Sequence, residues 1–395
     1  MRTLINNVKL VTSDGIFDNA AVLLFDGKIE FVSTDGTMIL PTVHETVDGG
    51  GAYLSAGFID IHVHGGGGHD FMDATEDAFR GALHSHMAHG TTSCVPTTLT
   101  AEMNELCEVF SVSRRVKNSA DAEKLPEILG LHLEGPYVAP EQVGAQDPKY
   151  IKIPSDGSWR EIVDAAKGDL LIWTVAPELE GADDMCAALA GSGIVFSAGH
   201  SSAKYTDVVR AIDAGYTMAT HLYSSMSTII RENGYRVPGL LEASLLHDEI
   251  CAEVIADGLH LPPELLKLIV KTKGRDRIVL VTDAMRGAGM PDGEYLLGSL
   301  KRGQLVSVFD GIAHMPDGIS FAGSVCTADR LIRTMTKKAG VSLSDAVTML
   351  TENPAREIGV ADHKGKVAVG YDADLVLFDE DVNVKAVWCR GNRTV

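Results

Sequence analysis

Gly57-Phe58-Ile59-Asp60-Ile61-His62-Val63-His64 runs directly into four glycines, Gly65 to Gly68. Phe58, Ile59, Ile61 and Val63 give this stretch the character of a buried strand. Residues i and i+2 of a strand point to the same face, so His62 and His64 project side by side at its end. Neutral imidazole is a common ligand for zinc and iron. Two imidazoles on one rigid strand can hold one ion without rearrangement. The plainer reading is a pair of buried, hydrogen-bonded histidines, and so short a motif also matches by accident. The rest of the chain decides between them.

From Gly57 onward, short apolar runs alternate with helix-like stretches. The runs are 58–64, 92–98, 128–134, 170–176, 194–200, 217–223, 250–256 and 277–283. Helical patterns fill 77–89, 101–117, 182–191, 204–214 and 262–272. Strand–helix alternation implies a parallel sheet with right-handed crossovers, and eight units in about 300 residues imply a closed (β/α)8 barrel. A doubly wound open sheet is disfavoured because no GxGxxG follows the first strand. Residues 292–323 break the rhythm with Asp292-Gly293, Asp310-Gly311 and Asp317-Gly318. They read as a hairpin-rich insertion after strand eight, near the barrel mouth. Helices resume at 327–339 and 344–350.

Both ends of the chain read as strands. Asp26-Gly27 is a hairpin signal, and Ala373 to Phe378 and Ala386 to Cys389 are β-rich. The expected organisation is a barrel over 57–361 and a small discontinuous β-sandwich domain built from 1–56 and 362–395.

The chain has 395 residues, enough for a large core, with 45% hydrophobic and 22% charged residues. Lys and Arg total 34 against 54 Asp and Glu, a net charge of −20. That acidity argues against nucleic acid or an anionic membrane as a partner. It does not forbid an anionic substrate, since a site needs only a few local cations. The first residues lack the apolar run of a signal peptide, and no segment has the ~18 apolar residues of a membrane span. Six scattered cysteines without a CxxC suit reduced thiols and a cytoplasmic location.

In a barrel the functional residues sit at the C-terminal strand ends. Strand one ends in His62 and His64, strand three in His132-Leu133-Glu134, and strand five in Gly199-His200. Strand six ends in Thr220-His221, strand seven in Asp257-Gly258-Leu259-His260, and strand eight in Thr282-Asp283. Each alone could be a satisfied buried polar group. Six strands delivering imidazoles or carboxylates to one rim are what a hydrolytic metal site requires. His132 shares a face with Glu134 and reads as a supporting or core residue. His84, His86 and His89 fall in a helix and read as packing or surface groups.

These motifs resemble the amidohydrolase superfamily and, within it, the N-acetylglucosamine-6-phosphate deacetylase family. The resemblance runs essentially end to end. It is carried by Gly57 to Gly65, His132-Leu133-Glu134-Gly135-Pro136, Ala198-Gly199-His200-Ser201, Thr220-His221-Leu222-Tyr223, Val237-Pro238-Gly239, Ala256 to His260 and Val281 to Met285. Strand four has no lysine, unlike superfamily members that bridge two metals with a carboxylated lysine there. The resemblance implies that Glu134, His200 and His221 hold a principal divalent ion. It implies a second ion at His62 and His64, bridged by Glu134, although some members lack this pair and work with one. Asp283 is then the catalytic acid/base. Arg236 and His260 match positions that bind the sugar phosphate, and the arginine comes from the neighbouring subunit of a homodimer.

Two positions depart from the family pattern. Gln146 stands where a histidine is usual, and Ser224-Ser225 where Asn-Ala is usual; all three are expected at the substrate. The implied reaction is hydrolysis of N-acetylglucosamine 6-phosphate to acetate and glucosamine 6-phosphate. The alternatives are the same reaction on another phosphorylated N-acetyl amino sugar, such as N-acetylgalactosamine 6-phosphate, or a non-catalytic sugar-phosphate sensor. His and Glu ligands suit Zn, Fe, Mn or Co.

Overall fold

The computed structural model describes residues 1–37, 41–318 and 320–395. Met38 to Leu40, in the first part of the expected β-domain, and Ile319, in the expected insertion, lie outside the described residues.

All eight expected barrel strands form. They are Phe58–Val63, Thr91–Thr98, Leu131–Glu134, Leu170–Val175, Val195–Ala198, Tyr216–Ala219, Cys251–Val254 and Ile278–Leu280, referred to below as strands one to eight. Each pairs in parallel with the next. Strands one and two are buried along their whole length, as expected for a parallel sheet covered on both faces. The ring closes between strands eight and one: the Asp283 amide donates to the His62 carbonyl at 2.9 Å, and Val63 bridges Ala284. Beneath that seam the Thr282 hydroxyl donates to buried Asp60 at 2.5 Å. Burial pushes the Asp60 carboxyl up to about 6.

Strand one contains an irregularity that matters for the site. Between Asp60 and Val63 it advances three residues while strand two advances two, Cys94 to Pro96. Below this bulge Ile59 and Ile61 pack inside the barrel with Val95, Ile172, Met218, Cys251 and Val279. The extra residue then turns His62 and His64 toward the same interior. Re-aiming a side chain beside a site is a common use of a bulge.

The insertion forms a three-stranded antiparallel sheet, Gly293–Leu297, Gln304–Phe309 and Ile312–His314. Arg286 fastens it to the barrel. This buried guanidinium donates to both carboxylate oxygens of Asp73 and to the carbonyls of Gly68, Leu296 and Gly298.

Strands from the two chain ends join one eight-stranded mixed sheet. Leu375–Phe378 pairs antiparallel with Tyr53–Ala56, which in turn pairs with Arg2–Thr12. Ile5, Val8, Leu24, Leu54 and Trp388 are among its core residues. Lys364 ties this sheet to the barrel side. Its buried ammonium lies 2.7 Å from Asp374, 2.8 Å from Glu127 and 2.9 Å from Asp372. Burial opposes its charge, but Asp374 and Glu127 more than compensate and raise its pKa.

Removing one member of a buried ion group strands the others, typically at about 3–5 kcal/mol. Lys364→Met is expected near the low end, because Asp372 keeps Lys28 and Glu127 keeps Arg390. Urea unfolding measures this, and a loss below about 1 kcal/mol would show the cluster to be indifferent to its cation.

Candidate metal centre

Glu134, at the end of strand three, is the hub. Its Oε1 lies 2.9 Å from His200 Nε2 and 2.9 Å from His221 Nε2, and those two nitrogens are 3.1 Å apart. On the other side, His62 Nε2 is 3.6 Å from Oε1 and His64 Nε2 is 3.4 Å from Oε2. Asp283 closes the group, with Oδ1 3.1 Å from His64 Nε2 and 3.5 Å from His62 Nε2. All six side chains are buried. The residues assigned to a metal pair and an acid/base thus do come together.

Backbone conformation aims three of them. His200, His221 and Asp283 have φ of 48°, 26° and 48°. Left-handed backbone at a non-glycine residue costs about 1–3 kcal/mol and clusters at functional sites. Here it turns the chain sharply where each strand ends, so the side chain looks into the mouth.

Neighbouring groups hold the imidazoles in place. His200 Nδ1 donates to the Gln142 carbonyl at 2.8 Å, which directs the Nε2 lone pair toward the hub. His62 Nδ1 donates to Glu253 at 2.9 Å. His132 lies edge-on beneath His62, ring centroids 4.5 Å apart, and bonds Thr174 at 2.7 Å. Burial holds its pKa well below the usual histidine value, so it stays neutral.

The donor set fits a divalent ion. Among the described residues, Glu134, Glu253 and Asp283 form ion pairs only with histidines, never with lysine or arginine. Burial disfavours charge on His62, but Asp283, Glu253 and Glu134 raise its pKa nonetheless. Burial likewise opposes charge on His221, yet Glu134 brings it up to about 9. The pocket therefore favours positive charge at its centre. His62 Nε2 is buried and makes no hydrogen bond. A buried ring nitrogen left without a partner costs about 1–3 kcal/mol. Glu134, His200 and His221 form one ligand triad, and His62, His64 and Glu134 a second.

A cavity of about 250 Å³ opens over the centre. Gln146, Ser224, Ser225 and His260 line it, as do Leu297 and Phe321 from the three-stranded insertion. His260 Nδ1 is held 2.8 Å from Asp257 Oδ2. Arg236 is not brought to this cavity. It sits exposed on an antiparallel hairpin, Ile230–Glu232 with Tyr235–Val237.

Glu253 and Asp257 escaped assignment from sequence. Glu253 is the one charged residue in the apolar run Cys251–Val254, which was the available signal. Asp257 stood in the strand-seven motif, but its bond to His260 depends on the turn that follows.

The amidohydrolase family model matches residues 53–394. The chain belongs to the amidohydrolase family. It is similar to the N-acetylglucosamine-6-phosphate deacetylase of Bacillus subtilis, with 36% identity covering 98% of this chain and 96% of the relative. It is also similar to the N-acetylgalactosamine-6-phosphate deacetylase of Escherichia coli O157:H7, with 30% identity covering 97% of each. Among solved structures, a mutant N-acetyl-D-glucosamine-6-phosphate deacetylase of Mycobacterium smegmatis, in complex with N-acetyl-D-glucosamine-6-phosphate, superposes with a TM-score of 0.90. It has 32% identity and covers 100% of this chain and 99% of that one. The family is the one implied by the sequence motifs, and family membership brings metal dependence with it.

Groups that orient metal-bound histidines are typically worth 10–100-fold in metal affinity. Glu253→Gln keeps an acceptor for His62 but removes the charge. It is expected to weaken binding at the His62–His64 position about 10-fold, measured by competition with a chelator. Unchanged affinity would assign Glu253 a purely structural role.

Proposed function

We infer that this chain hydrolyses the acetamide of N-acetylglucosamine 6-phosphate, giving acetate and glucosamine 6-phosphate. The observation that carries this reading is the convergence of Glu134, four histidines and Asp283 beneath one cavity, in a chain related over nearly its whole length to deacetylases. Glu134, His200 and His221 would hold the principal ion, and His62 and His64 a second. Such an ion brings the pKa of water toward ~7 and polarises a carbonyl.

Asp283 moves the proton. Burial raises its pKa, but His62 and His64 reverse that and hold the carboxyl below its usual range. It is therefore a carboxylate at neutral pH. It accepts the proton of the attacking water and returns it to the departing amine nitrogen, as general base and then acid. A pure sensor has no need of this group.

His260, with one nitrogen tied to Asp257, offers the other to the phosphate. Ser224 and Ser225 supply hydroxyl and amide donors to the sugar phosphate, and Gln146 borders the same space. Arg236 completes the phosphate site from a second copy of the chain in a homodimer. Ile229, Ile230 and Tyr235, 51%, 46% and 78% exposed around the same hairpin, support its burial against another surface. The division into a catalytic unit, 57–361, and a β-domain from 1–56 and 362–395 is part of this reading. So is a cytoplasmic location, supported by six free thiols. No helix among the described residues is long and apolar enough to cross a membrane.

The galacto-configured substrate is the second reading, favoured by the Escherichia coli relative. Acetate release from both sugar phosphates and from unphosphorylated N-acetylglucosamine tests the proposal. The highest kcat/KM is expected on N-acetylglucosamine 6-phosphate, with activity lost on chelation and restored by divalent metal. Equal efficiency on the unphosphorylated sugar would overturn it.

Asp283→Asn is expected to fold and bind metal but to lose about 10²–10⁴-fold in kcat, toward the upper end because the group serves both steps. Bound metal and kcat are measured on one sample, and near-normal kcat with normal metal would remove Asp283 from the mechanism. Arg236→Ala is expected to raise KM far more than it lowers kcat, as for a contact equal in ground and transition states.

A further inference from the structure

Gln146 lines the cavity, yet it is only 3% exposed and its polar atoms face inward. Its Oε1 accepts from the Thr100 amide at 2.7 Å. Its Nε2 donates to Glu134 Oε2 at 2.6 Å. The Thr100 N–H leaves no choice of amide orientation. A flipped Gln146 would set N–H against N–H at Thr100 and carbonyl against carboxylate at Glu134. The donor is neutral, so it fixes Glu134 without cancelling the charge that attracts an ion.

The same loop holds a second ligand, because the Gln142 carbonyl takes the Nδ1 proton of His200. The loop is itself fastened from outside. Gln304, in the insertion strand Gln304–Phe309, donates to the Ala145 carbonyl at 2.8 Å. Two of the three principal ligands are thus set by one loop, and that loop is pinned by the insertion.

We propose that Gln146 is a positioning residue of the metal centre, acting through Glu134 and not on the sugar. This rests on the metal reading of the site but not on the identity of the sugar. Gln146→Met keeps the volume and removes both hydrogen bonds. Zn²⁺ affinity is measured on metal-stripped protein by competition with a chromophoric chelator, without sugar. A loss of about 10–100-fold is expected, the range for groups that orient metal ligands. At saturating metal, KM is expected to stay within a factor of about two, since uniform substrate binding is untouched. Unchanged Zn²⁺ affinity with a raised KM would overturn the proposal and make Gln146 a substrate group.

If Gln146→Met does not fold, Gln304→Ala decides. It touches neither Glu134 nor the cavity, and is expected to weaken Zn²⁺ several-fold, whereas unchanged affinity would overturn the loop's role. Exposed Glu141, in the same loop, serves as control, with Glu141→Ala leaving affinity unchanged. A wild-type chain that binds Zn²⁺ in this Gln146-dependent way but releases no acetate would sink the deacetylase reading alone.

Discussion

A carboxylate 3% exposed inside a barrel cannot stand alone, and Glu134 is such a group. Taking an ion out of water costs several kcal/mol even after the protein relaxes. No lysine or arginine comes to its aid among the described residues; His200 and His221 do, each 2.9 Å from one oxygen. Neutral imidazoles offer lone pairs as readily as protons. The arrangement is therefore satisfied either by imidazolium or by a metal ion, and only the ion also occupies the orphaned Nε2 of His62. Much of the mouth follows from housing that one charge.

The fold serves this need through strand ends. Six strands reach the rim from different directions, and a ligand shell requires convergence of that kind. Convergence has a local cost. Three site residues lie in left-handed backbone, worth about 1–3 kcal/mol each. The offset comes from strands buried on both faces and from the apolar plug of Ile59, Ile61, Val95, Ile172 and Met218 below the site. A rigid floor lets the rim hold conformations that an isolated loop would abandon.

The strands were legible because β-branched runs of six to eight residues between turn signals carry their own period. His62 and His64 were legible as neighbours for the same reason. What alternation could not show was the bulge. By simple alternation the two histidines oppose Ile59 and Ile61, whereas the structure sends all four inward. The cause is pairing with strand two, which lies outside the local pattern. Glu253 was an odd charge in an apolar run, but its partner His62 is 191 residues away. Gln146 sits in a loop without periodicity; only the family resemblance tied it to the substrate, while its geometry points to Glu134. Arg236 was legible only through family resemblance, because it sits exposed on a hairpin away from the cavity and no local pattern links it to the site.

An acidic protein that takes an anionic substrate must confine the attraction to a small region. At a net charge of −20 the surface as a whole repels a sugar phosphate. The cavity adds Glu134 and Asp283, and among the described residues no lysine or arginine lines it. In the proposed function, attraction is therefore local and supplied by few groups: a divalent ion at Glu134, His260 beside Asp257, and Arg236 of a second copy. In that reading, a guanidinium on an exposed hairpin separates the two tasks. The barrel concentrates negative charge to hold the metal, and the hairpin carries positive charge where it cannot collapse onto Glu134. An arginine inside the same cavity would pair with the carboxylates and compete with the ion. A phosphate-binding cation supplied by a second copy of the chain, as proposed, would let one pocket bind a cation at its floor and an anion at its rim.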